Sequence, residues 1–564
     1  MKRRLTRYGD DDFALFLRKS FIKGFGYNDE ALNKPVIGII NTYSDYNSCH
    51  GNLNNLVDAA KSGVVAAGAL PLAFPTISLH ESFAYPTSMY LRNLMAMDTE
   101  EMMKALPMDA CILVGGCDIT VPAQLMGALS SNIPFVQLVS GPMSVGSFKG
   151  ERVGACTDCR RIWADYRAGN INEDDMSDAS NQLVPTIGTC GVMGTASTIA
   201  LMVETLGLMV PGGACAPAVS SQRIRIAEET GFLAVKIANR DYNPRNWLTE
   251  HSFENALRVL LAVGGSTNGI IHLSAIAGRM GINLDLKRLD ELGRDTPVLV
   301  DLKPSGNGYM EDLDRAGGLV RILTEIEDLL NLDALTASGK TLGEIINDTR
   351  LSWPQSIVRR RNKPIFKSGG LAVLNGNLAP NGAIIKQSAA SAKLLVHKGK
   401  AVVFDGLADL ANRIDDEDLD VSPEDILVLK NIGPKGAPGM PEAGLIPIPK
   451  KLALGGVKDM VRISDGRMSG TASGTIVLHV APEAAIGGPL NYVENGDEIY
   501  LNVNLRVLTQ LVSDEELKSR KENIPLKISA PARGYGKLFF DHVMQAPQGV
   551  DFDFLVGVDD ESEI

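Results

Sequence analysis

The sequence predicts an α/β N-terminal domain with a parallel sheet, at residues 1–370, followed by a smaller, mainly β, barrel-like domain at residues 371–564. Three observations predict this fold class. The chain of 564 residues is too long for a single hydrophobic core. In its first part, short β-branched apolar runs alternate with segments of helical period, the pattern of βαβ units. In its last part, strand-like runs are separated by Gly, Pro, Asn and Asp.

The first part contains three apolar runs that predict buried strands. They are VIGII at 36–40, ACILVGG at 110–116 and FVQLV at 135–139. One face of the helix predicted after the first run is formed by Leu53, Leu56, Val57, Ala60 and Val64. Ligands bind beyond the carboxyl ends of the strands in open parallel sheets. We therefore expect functional residues in the loops that follow these runs.

A boundary is predicted at the basic, proline-containing stretch SWPQSIVRRRNKPIFKSGG, residues 352–370. Strands are predicted after it at 401–404, 426–429 and 475–480. A further strand is predicted by strict alternation of Ile499, Leu501, Val503, Leu505 and Val507. The second domain is therefore expected to be mainly β, with a barrel as the expected form.

Charge and hydropathy restrict the function classes. The net charge of -12 argues against nucleic acid or an anionic membrane surface as the main partner, because both require a basic footprint. No apolar run approaches the roughly 18 residues of a membrane helix. The N-terminus is basic for a few residues and then acidic, without an apolar signal core. We expect a cytoplasmic protein that acts on a small molecule.

The seven cysteines do not form the pattern of a secreted disulfide framework, because their number is odd and all lie in the first 215 residues. Cys49, Cys117 and Cys190 each lie in a loop rich in Gly, Asn, Ser or Thr. Backbone N–H groups in such loops stabilise thiolates and the sulfurs of a cluster. Three thiolates suit an iron-sulfur cluster with one open iron position. Three unrelated buried cysteines remain the alternative.

Cys156 and Cys159 form CTDC, the only C-x-x-C in the chain. A redox pair or half of a zinc site would use this spacing. No second C-x-x-C and no nearby histidine pair completes a zinc site, which argues against that function. Cys111, inside an apolar run, and Cys215 are expected to be packing residues.

Three carboxylates, Glu81, Asp118 and Glu442, lie in turn-like surroundings. Hard oxygen ligands from distant segments are what Mg²⁺ selects. A helix cap or a surface acid is the alternative for each one alone. His50 and His80 flank candidate ligands, although a hydrogen-bonded structural role is the default for each.

The segment SDGRMSGTASGT, residues 464–475, places Ser469 and Thr471 in a glycine-interrupted loop between predicted strands. Such a loop can hold a carboxylate or phosphate on its backbone amides. It lacks the G-K-[ST] of a P-loop, and the chain lacks a convincing G-x-G-x-x-G after a strand. We therefore expect no nucleotide site.

Taken together, eight motifs resemble those of the dihydroxy-acid and sugar-acid dehydratase family over nearly the whole chain. In order they are NTYSDYNSCHGN, ESFAYPTSM, GGCDITVPA, GTCGVMGTAST, GGSTNGIIHLSAIAGR, LNGNLAPNGAIIK, KNIGPKGAPGMPEAG and VRISDGRMSGTASGT. The resemblance implies an α/β domain plus a β-barrel domain and a homodimer or homotetramer. It also implies an active site at the domain junction near a subunit interface.

The resemblance implies that Cys49, Cys117 and Cys190 hold an iron-sulfur cluster. The cluster is [2Fe-2S] in the branch closest to this chain and [4Fe-4S] in a more distant phosphogluconate branch. We expect [2Fe-2S].

The resemblance also implies Mg²⁺ at Glu81, Asp118 and Glu442, and a serine alkoxide base at Ser469. We expect Thr471, in the same loop, to be a second catalytic residue. In the implied reaction Mg²⁺ binds the substrate carboxylate and 2-hydroxyl, and the serine removes the proton at the α-carbon. The open iron takes the 3-hydroxyl. The product is a 2-oxo-3-deoxy acid.

The chain departs from the family pattern at Ile119. Family members read Cys-Asp-Lys at 117–119, and the lysine is carbamylated to give a further oxygen at the magnesium. Isoleucine supplies neither an amine nor a ligand. Mg²⁺ is then bound more weakly, or another group substitutes, or the chemistry has changed.

The segments RMSGTASGTIVLHVAPEA, TDCRR and PIPKK are similar to the sugar-acid branch, whereas the branched-chain amino-acid enzyme tends to read TDGRFSG. An aldonate dehydratase is the preferred hypothesis. Dihydroxy-acid dehydratase and a cluster-binding paralogue without dehydratase activity are the alternatives. Arg160 and Arg161 are expected to contact an acidic substrate or to have a surface role.

Overall fold

Two sheets organise the chain, and they match the predicted fold class. The computed structural model describes residues 9–526 and 528–557; most of the basic N-terminal stretch lies outside these residues. The first sheet has four parallel strands, and the second is a closed barrel of eight strands. Every barrel strand lies between Ala372 and Gln510.

Six strands lie among the described residues of the first part of the chain. They are β1 (Val36–Asn41), β2 (Leu70–Pro75), β3 (Ala110–Gly115), β4 (Phe135–Val139), β5 (Gly146–Phe148) and β6 (Glu151–Val153). The first four form the parallel sheet in the order β2-β1-β3-β4, and β5 and β6 form a separate antiparallel pair. The three predicted strands are therefore confirmed.

The first part of the chain also contains helices, several of which contact the parallel sheet. They are α1 (Asp11–Lys23), α2 (Asp29–Leu32), α3 (Leu53–Ala66), α4 (Arg92–Ala105), α5 (Thr120–Ser130), α6 (Thr157–Arg167), α7 (Glu173–Leu183), α8 (Thr195–Thr205), α9 (Ser221–Arg240), α10 (Glu250–Ala262), α11 (Asn268–Gly278), α12 (Leu286–Asp295), α13 (Met310–Ala316), α14 (Gly318–Glu325) and α15 (Leu342–Asp348). The predicted apolar face of α3 is buried against the sheet and α9. Since β1 and β3 are parallel neighbours, the loops after them leave the sheet at the same edge.

The barrel is built from β7 (Ala372–Gly376), β8 (Ala379–Ile385), β9 (Val396–Asp405), β10 (Ile426–Lys430), β11 (Arg462–Ser464), β12 (Ile476–Leu478), β13 (Glu498–Asn502) and β14 (Val507–Gln510). Its order is β10-β11-β12-β8-β7-β14-β13-β9. The helices of this part are α16 (Gly406–Arg413), α17 (Lys450–Leu454), α18 (Asp514–Asn523) and α19 (Gly534–His542).

One predicted barrel strand is wrong. The alternating residues 499–507 do not form one strand; β13 ends at Asn502, and the chain turns back into β14. The two strands pair antiparallel, with Ile499 opposite Gln510. Leu505 lies in the turn and is 69% exposed, and Arg506 has a positive φ of 62°. The alternation of apolar residues continues through the turn, so hydropathy alone does not mark it.

The barrel places two loops towards the first domain. β10 and β11 are parallel neighbours, so the segments after them leave the same end of the barrel. The segment after β10 carries Glu442, and the segment between β11 and β12 carries Ser469. Among the residues that the structure describes, no helix has the length and apolarity needed to cross a membrane.

Candidate functional site

Two cysteines and a histidine of the first domain lie together at the edge of the parallel sheet. Cys49 lies in a short turn after β1, and Cys117 follows β3. The ligand atoms of Cys49, His80 and Cys117 are all within 4.8 Å of one another. The topology explains this meeting, because adjacent parallel strands bring the loops after them to one edge.

His50 holds the loop of Cys117 in place. Its Nε2 atom accepts hydrogen bonds from the backbone N–H groups of Gly116 (3.0 Å) and Cys117 (2.9 Å). Its Nδ1 atom is 2.7 Å from the carbonyl oxygen of Thr42, to which it donates, since Nε2 accepts. Burial lowers the pKa of His50 to about 4, so the imidazole is neutral. The expected structural role of His50 is thereby confirmed.

A second sulfur pair lies beside the first. Cys190, in the loop before α8, has its Sγ atom 3.6 Å from that of Cys156. The pKa of Cys190 is raised, first by its hydrogen bond to Cys156, then by burial and by the charges of Cys156 and Cys49. Cys190 is therefore within electrostatic reach of Cys49. Cys156 caps the N-terminus of α6, and Cys159 lies in the first turn of that helix.

The donor set of this thiol group fits an iron-sulfur cluster. All seven cysteines lie among the described residues, and each has a free sulfur. The three predicted cluster residues, Cys49, Cys117 and Cys190, all belong to the group. Thiolates are the ligands that iron-sulfur clusters use. Cys111 and Cys215 are buried elsewhere in apolar cores, as expected for packing residues.

The predicted magnesium ligands are linked by a residue that the sequence did not indicate. Arg467 is 1% exposed and donates from Nη1 to Oε1 of Glu442 (2.8 Å) and from Nη2 to Oε1 of Glu81 (3.2 Å). This contact joins the first domain, which carries Glu81, to the barrel. The only available signal was the position of Arg467, two residues before Ser469.

Glu81 is fixed by donors from its own loop. Thr87 Oγ1 donates to it at 2.7 Å, the backbone N–H of Ser88 donates at 3.0 Å, and the Ser88 hydroxyl donates as well. Burial acts to raise its pKa, but Arg467 and these donors hold the pKa below the ordinary value. Glu81 is therefore an ionised, preoriented carboxylate.

The other two carboxylates are in less favourable surroundings. Burial, and then the charge of Glu81, raise the pKa of Asp118. Burial raises the pKa of Glu442 to about 7, although Arg467 opposes the shift. Three carboxylates act on Arg467, and Arg160 also acts on Glu442, so negative charge is still in excess. Buried excess negative charge is costly without a further cation. The charge of the site, rather than the spacing of its carboxylate oxygens, therefore suits a divalent ion with oxygen ligands such as Mg²⁺.

The sulfur group and the carboxylate group meet at adjacent residues. The Sγ atom of Cys117 lies 3.4 Å from Oδ1 of Asp118. Ile119, the next residue, is fully buried in the main apolar cluster of the first domain. Ile119 contributes no side-chain oxygen, so Asp118 is the one carboxylate that residues 117–119 offer.

The predicted base lies in a barrel loop whose backbone is held by hydrogen bonds from other segments. Ser469 Oγ is 2.9 Å from Thr471 Oγ1. The Thr157 hydroxyl donates to the backbone oxygen of Thr471 (2.9 Å), and Lys386 Nζ donates to that of Gly470 (3.2 Å). A Cβ atom on Gly470 would lie only 2.5 Å from Ser266, so only glycine permits this close approach. Burial lowers the pKa of Lys386 to about 7.

Arg160 and Arg161 of α6 differ in their surroundings. Arg161 pairs with Asp158 at 3.2 Å and with Asp165 at 3.7 Å on the helix surface. The charge of Arg160 acts on both Glu442 and Cys156, so Arg160 faces the site. Its Nε atom is buried and has no hydrogen-bond partner among the described residues. Of the two, Arg160 is the one available to a substrate.

The fold and the site define an enzyme built from two domains. The α/β domain supplies several cysteine thiols and two carboxylates, and the barrel supplies a third carboxylate and a hydroxyl. Family comparison identifies it further. Residues 34–345 match the dihydroxy-acid/6-phosphogluconate dehydratase N-terminal domain, and residues 356–550 match the corresponding C-terminal domain. The chain belongs to this family and is a dehydratase, that is, a hydro-lyase.

Three relatives show the range of this similarity. The chain is 45% identical to an L-arabinonate dehydratase of Rhizobium leguminosarum bv. trifolii, covering 98% of this chain and 95% of the relative. It is 41% identical to a 6-deoxy-6-sulfo-D-gluconate dehydratase of Pseudomonas putida, covering 97% and 95%. It is 37% identical to a dihydroxy-acid dehydratase of Clostridium novyi, covering 94% and 97%.

Proposed function

We propose that the protein converts an aldonate to a 2-oxo-3-deoxy acid, with Ser469 as the base that removes the proton at C2. One observation carries this proposal. Arg467, two residues before Ser469, donates to Glu81 and Glu442. The charge of Glu81 acts on Asp118, whose Oδ1 atom is 3.4 Å from the Cys117 sulfur. A base, an oxygen-ligand site and a sulfur-ligand site are therefore contiguous.

Each group has a distinct role in the proposal. Cys49, Cys117 and Cys190 would hold a [2Fe-2S] cluster, and Glu81, Asp118 and Glu442 would hold Mg²⁺. When bound, these groups supply Lewis acids that polarise the 2-hydroxy acid and the leaving 3-hydroxyl.

The hydroxyls and the guanidinium contribute differently. Ser469 accepts the C2 proton, and Thr471, 2.9 Å away, orients its oxygen. Arg467 keeps the carboxylates in position. Loss of water gives an enol, which takes a proton at C3 to become the 2-oxo acid.

An aldonate is favoured over dihydroxyisovalerate by two observations. The relatives named for sugar-acid substrates are 41–45% identical, whereas those named dihydroxy-acid dehydratase are 36–39% identical. The start of α6 also brings Arg160 to the site, and its buried Nε atom has no hydrogen-bond partner among the described residues. A polyhydroxylated acid can use such a donor, whereas a branched hydrocarbon chain cannot.

Location and assembly are part of the proposal. We propose a cytoplasmic homodimer or homotetramer whose active site lies near a subunit interface. Tyr46, Phe83 and Tyr85 are 75%, 69% and 93% exposed, and the Phe83 ring is 5.7 Å from that of His80. Exposed aromatic side chains beside a functional site are typical of surfaces covered by a partner.

The test is the formation of 2-oxo acid by anaerobically purified, iron-reconstituted protein with Mg²⁺. Pentonates, hexonates and dihydroxyisovalerate are compared, with a 3-deoxy aldonate as the matched control that has no leaving hydroxyl. We expect turnover of at least one aldonate and no product from the control. Turnover of dihydroxyisovalerate alone would replace the aldonate by the branched-chain substrate. No turnover by cluster-loaded protein would contradict the proposed activity and favour a non-catalytic paralogue.

A further inference from the structure

Cys156 has no role in the proposed function, yet its sulfur lies close to that of Cys190, a predicted cluster ligand. Its sulfur is 3.6 Å from that of Cys190, whereas Cys49 and Cys117 form a separate close pair with His80. We propose that Cys156 is a fourth thiolate ligand of the iron-sulfur cluster, on the same iron as Cys190. This inference rests on the proposed cluster but not on turnover.

The distance suits shared ligation. Two thiolates on one tetrahedral metal, with bonds of about 2.3 Å, have sulfurs about 3.8 Å apart. A disulfide would bring the two sulfurs to about 2.05 Å. The observed 3.6 Å is close to the edge of a tetrahedral site, so Cys156 and Cys190 can bind one iron with little movement.

The pairing of sulfurs matches a two-iron cluster. Cys49 and Cys117 come from the loops after β1 and β3, and their ligand atoms are within 4.8 Å. Cys156 and Cys190 form the other pair. Two irons with two thiolates each complete a four-cysteine [2Fe-2S] site.

The position of Cys156 on its helix also favours a ligand. It occupies the N-cap position of α6, a helix of 11 residues, and its side chain makes no capping hydrogen bond. The helix dipole favours a thiolate at this position. The start of α6 is held against the barrel by the bond from Thr157 to Thr471. Cys156 is therefore fixed at the junction rather than on a free surface.

Fourfold ligation has a consequence for the resting enzyme. A cluster held by all four cysteines would have no open iron position, so Cys156 would have to leave as a thiolate before a substrate hydroxyl could bind there. The exchange is of ligands only and changes no oxidation state. Cys156 would shield the cluster from oxygen in the absence of substrate.

The test compares anaerobically reconstituted wild type with Cys156→Ala and Cys156→Ser. Cys159→Ala is the matched control, because it removes the other thiol of the same C-x-x-C. Iron and sulfide content, the absorption and EPR spectra, and iron X-ray absorption are measured without substrate. Folding of each variant is checked by circular dichroism.

We expect only sulfur ligands in the wild type and in Cys159→Ala. Cys156→Ala and Cys156→Ser should each show an oxygen or nitrogen ligand and altered EPR g-values, and the Cys156→Ala cluster should decay about tenfold faster in air. Wild-type spectra in both Cys156 variants would overturn the inference while leaving the proposed function intact. A folded wild type that binds no cluster would overturn both, and if Cys156→Ala does not fold, Cys156→Ser decides.

Discussion

The cluster of cysteine thiols and the cluster of carboxylates differ in how the fold assembles them. The sulfurs all come from the first domain, and two of them follow adjacent parallel strands, so the sheet topology alone brings them together. The carboxylates come from both domains and meet through Arg467 of the barrel. The proposed sulfur site therefore belongs to one domain, whereas the proposed oxygen site draws its residues from both.

Removing the proposed base should have the largest effect on activity and should leave the cysteine cluster unchanged. We predict that Ser469→Ala lowers kcat by at least about a thousandfold, because proton removal from C2 loses its acceptor. Iron and sulfide content should not change. The measurement is 2-oxo acid formation at matched cluster content.

Ser473→Ala is the control for this variant, since Ser473 lies in the same loop and is exposed. It should retain wild-type kcat. Comparable activity in Ser469→Ala would show that the base lies elsewhere.

Removing the Arg467 guanidinium should destabilise the protein through the carboxylates alone, and the cysteines should not contribute to this loss. We predict that Arg467→Gln lowers the free energy of unfolding by about 3 kcal/mol without Mg²⁺, because Glu81 and Glu442 lose their buried partner. Mg²⁺ should restore more stability in the variant than it adds to the wild type, since it replaces the lost positive charge. Urea unfolding with and without Mg²⁺ measures both effects.

Arg462→Gln is the matched control, because Arg462 is also buried but pairs with Asp459 inside the barrel. It should be destabilised without rescue by Mg²⁺. Equal rescue of both variants, or of neither, would contradict a magnesium site at Glu81 and Glu442.

The smallest effect is expected at Ile119, which follows Cys117 and Asp118 in the chain. We predict that Ile119→Lys lowers stability by about 2 kcal/mol in bicarbonate-free buffer, because a lysine amine enters an apolar core. With bicarbonate, a carbamate on that lysine would add an oxygen ligand and tighten Mg²⁺ binding about tenfold. Isothermal titration with Mg²⁺ measures this change.

Ile119→Met separates packing from ligation, since methionine has a similar volume and no amine. Its Mg²⁺ affinity should equal that of the wild type. An unchanged affinity in Ile119→Lys with bicarbonate would mean that position 119 does not face the carboxylates.

The sequence was sufficient for the parts of the fold that local pattern determines. The runs at β1, β3 and β4 are apolar throughout, and buried parallel strands have that pattern. The loops after β1 and β3 could then be predicted as one edge of a sheet. By contrast, the hairpin of β13 and β14 was missed, because the alternating apolar residues continue through its turn.

The site was predicted only as far as residue types and family resemblance allowed. The contact of Arg467 with Glu81 joins residues 386 positions apart, and no local pattern encodes it. His50 was expected to be structural, but its two bonds to the loop of Cys117 depend on the docking of β1 against β3. Cys156 was visible in CTDC, yet its approach to Cys190 depends on the packing of α6 against the loop before α8.

The most direct measurement is NMR of the reaction product formed in D₂O from an aldonate labelled with ¹³C at C2 and C3, using cluster-loaded protein and Mg²⁺. We predict loss of the C2 proton, a carbonyl at C2, and one deuterium at C3 delivered when the enol takes a proton from solvent. A carbonyl at C2 with the 3-hydroxyl retained, or unchanged substrate, would contradict dehydration at this site.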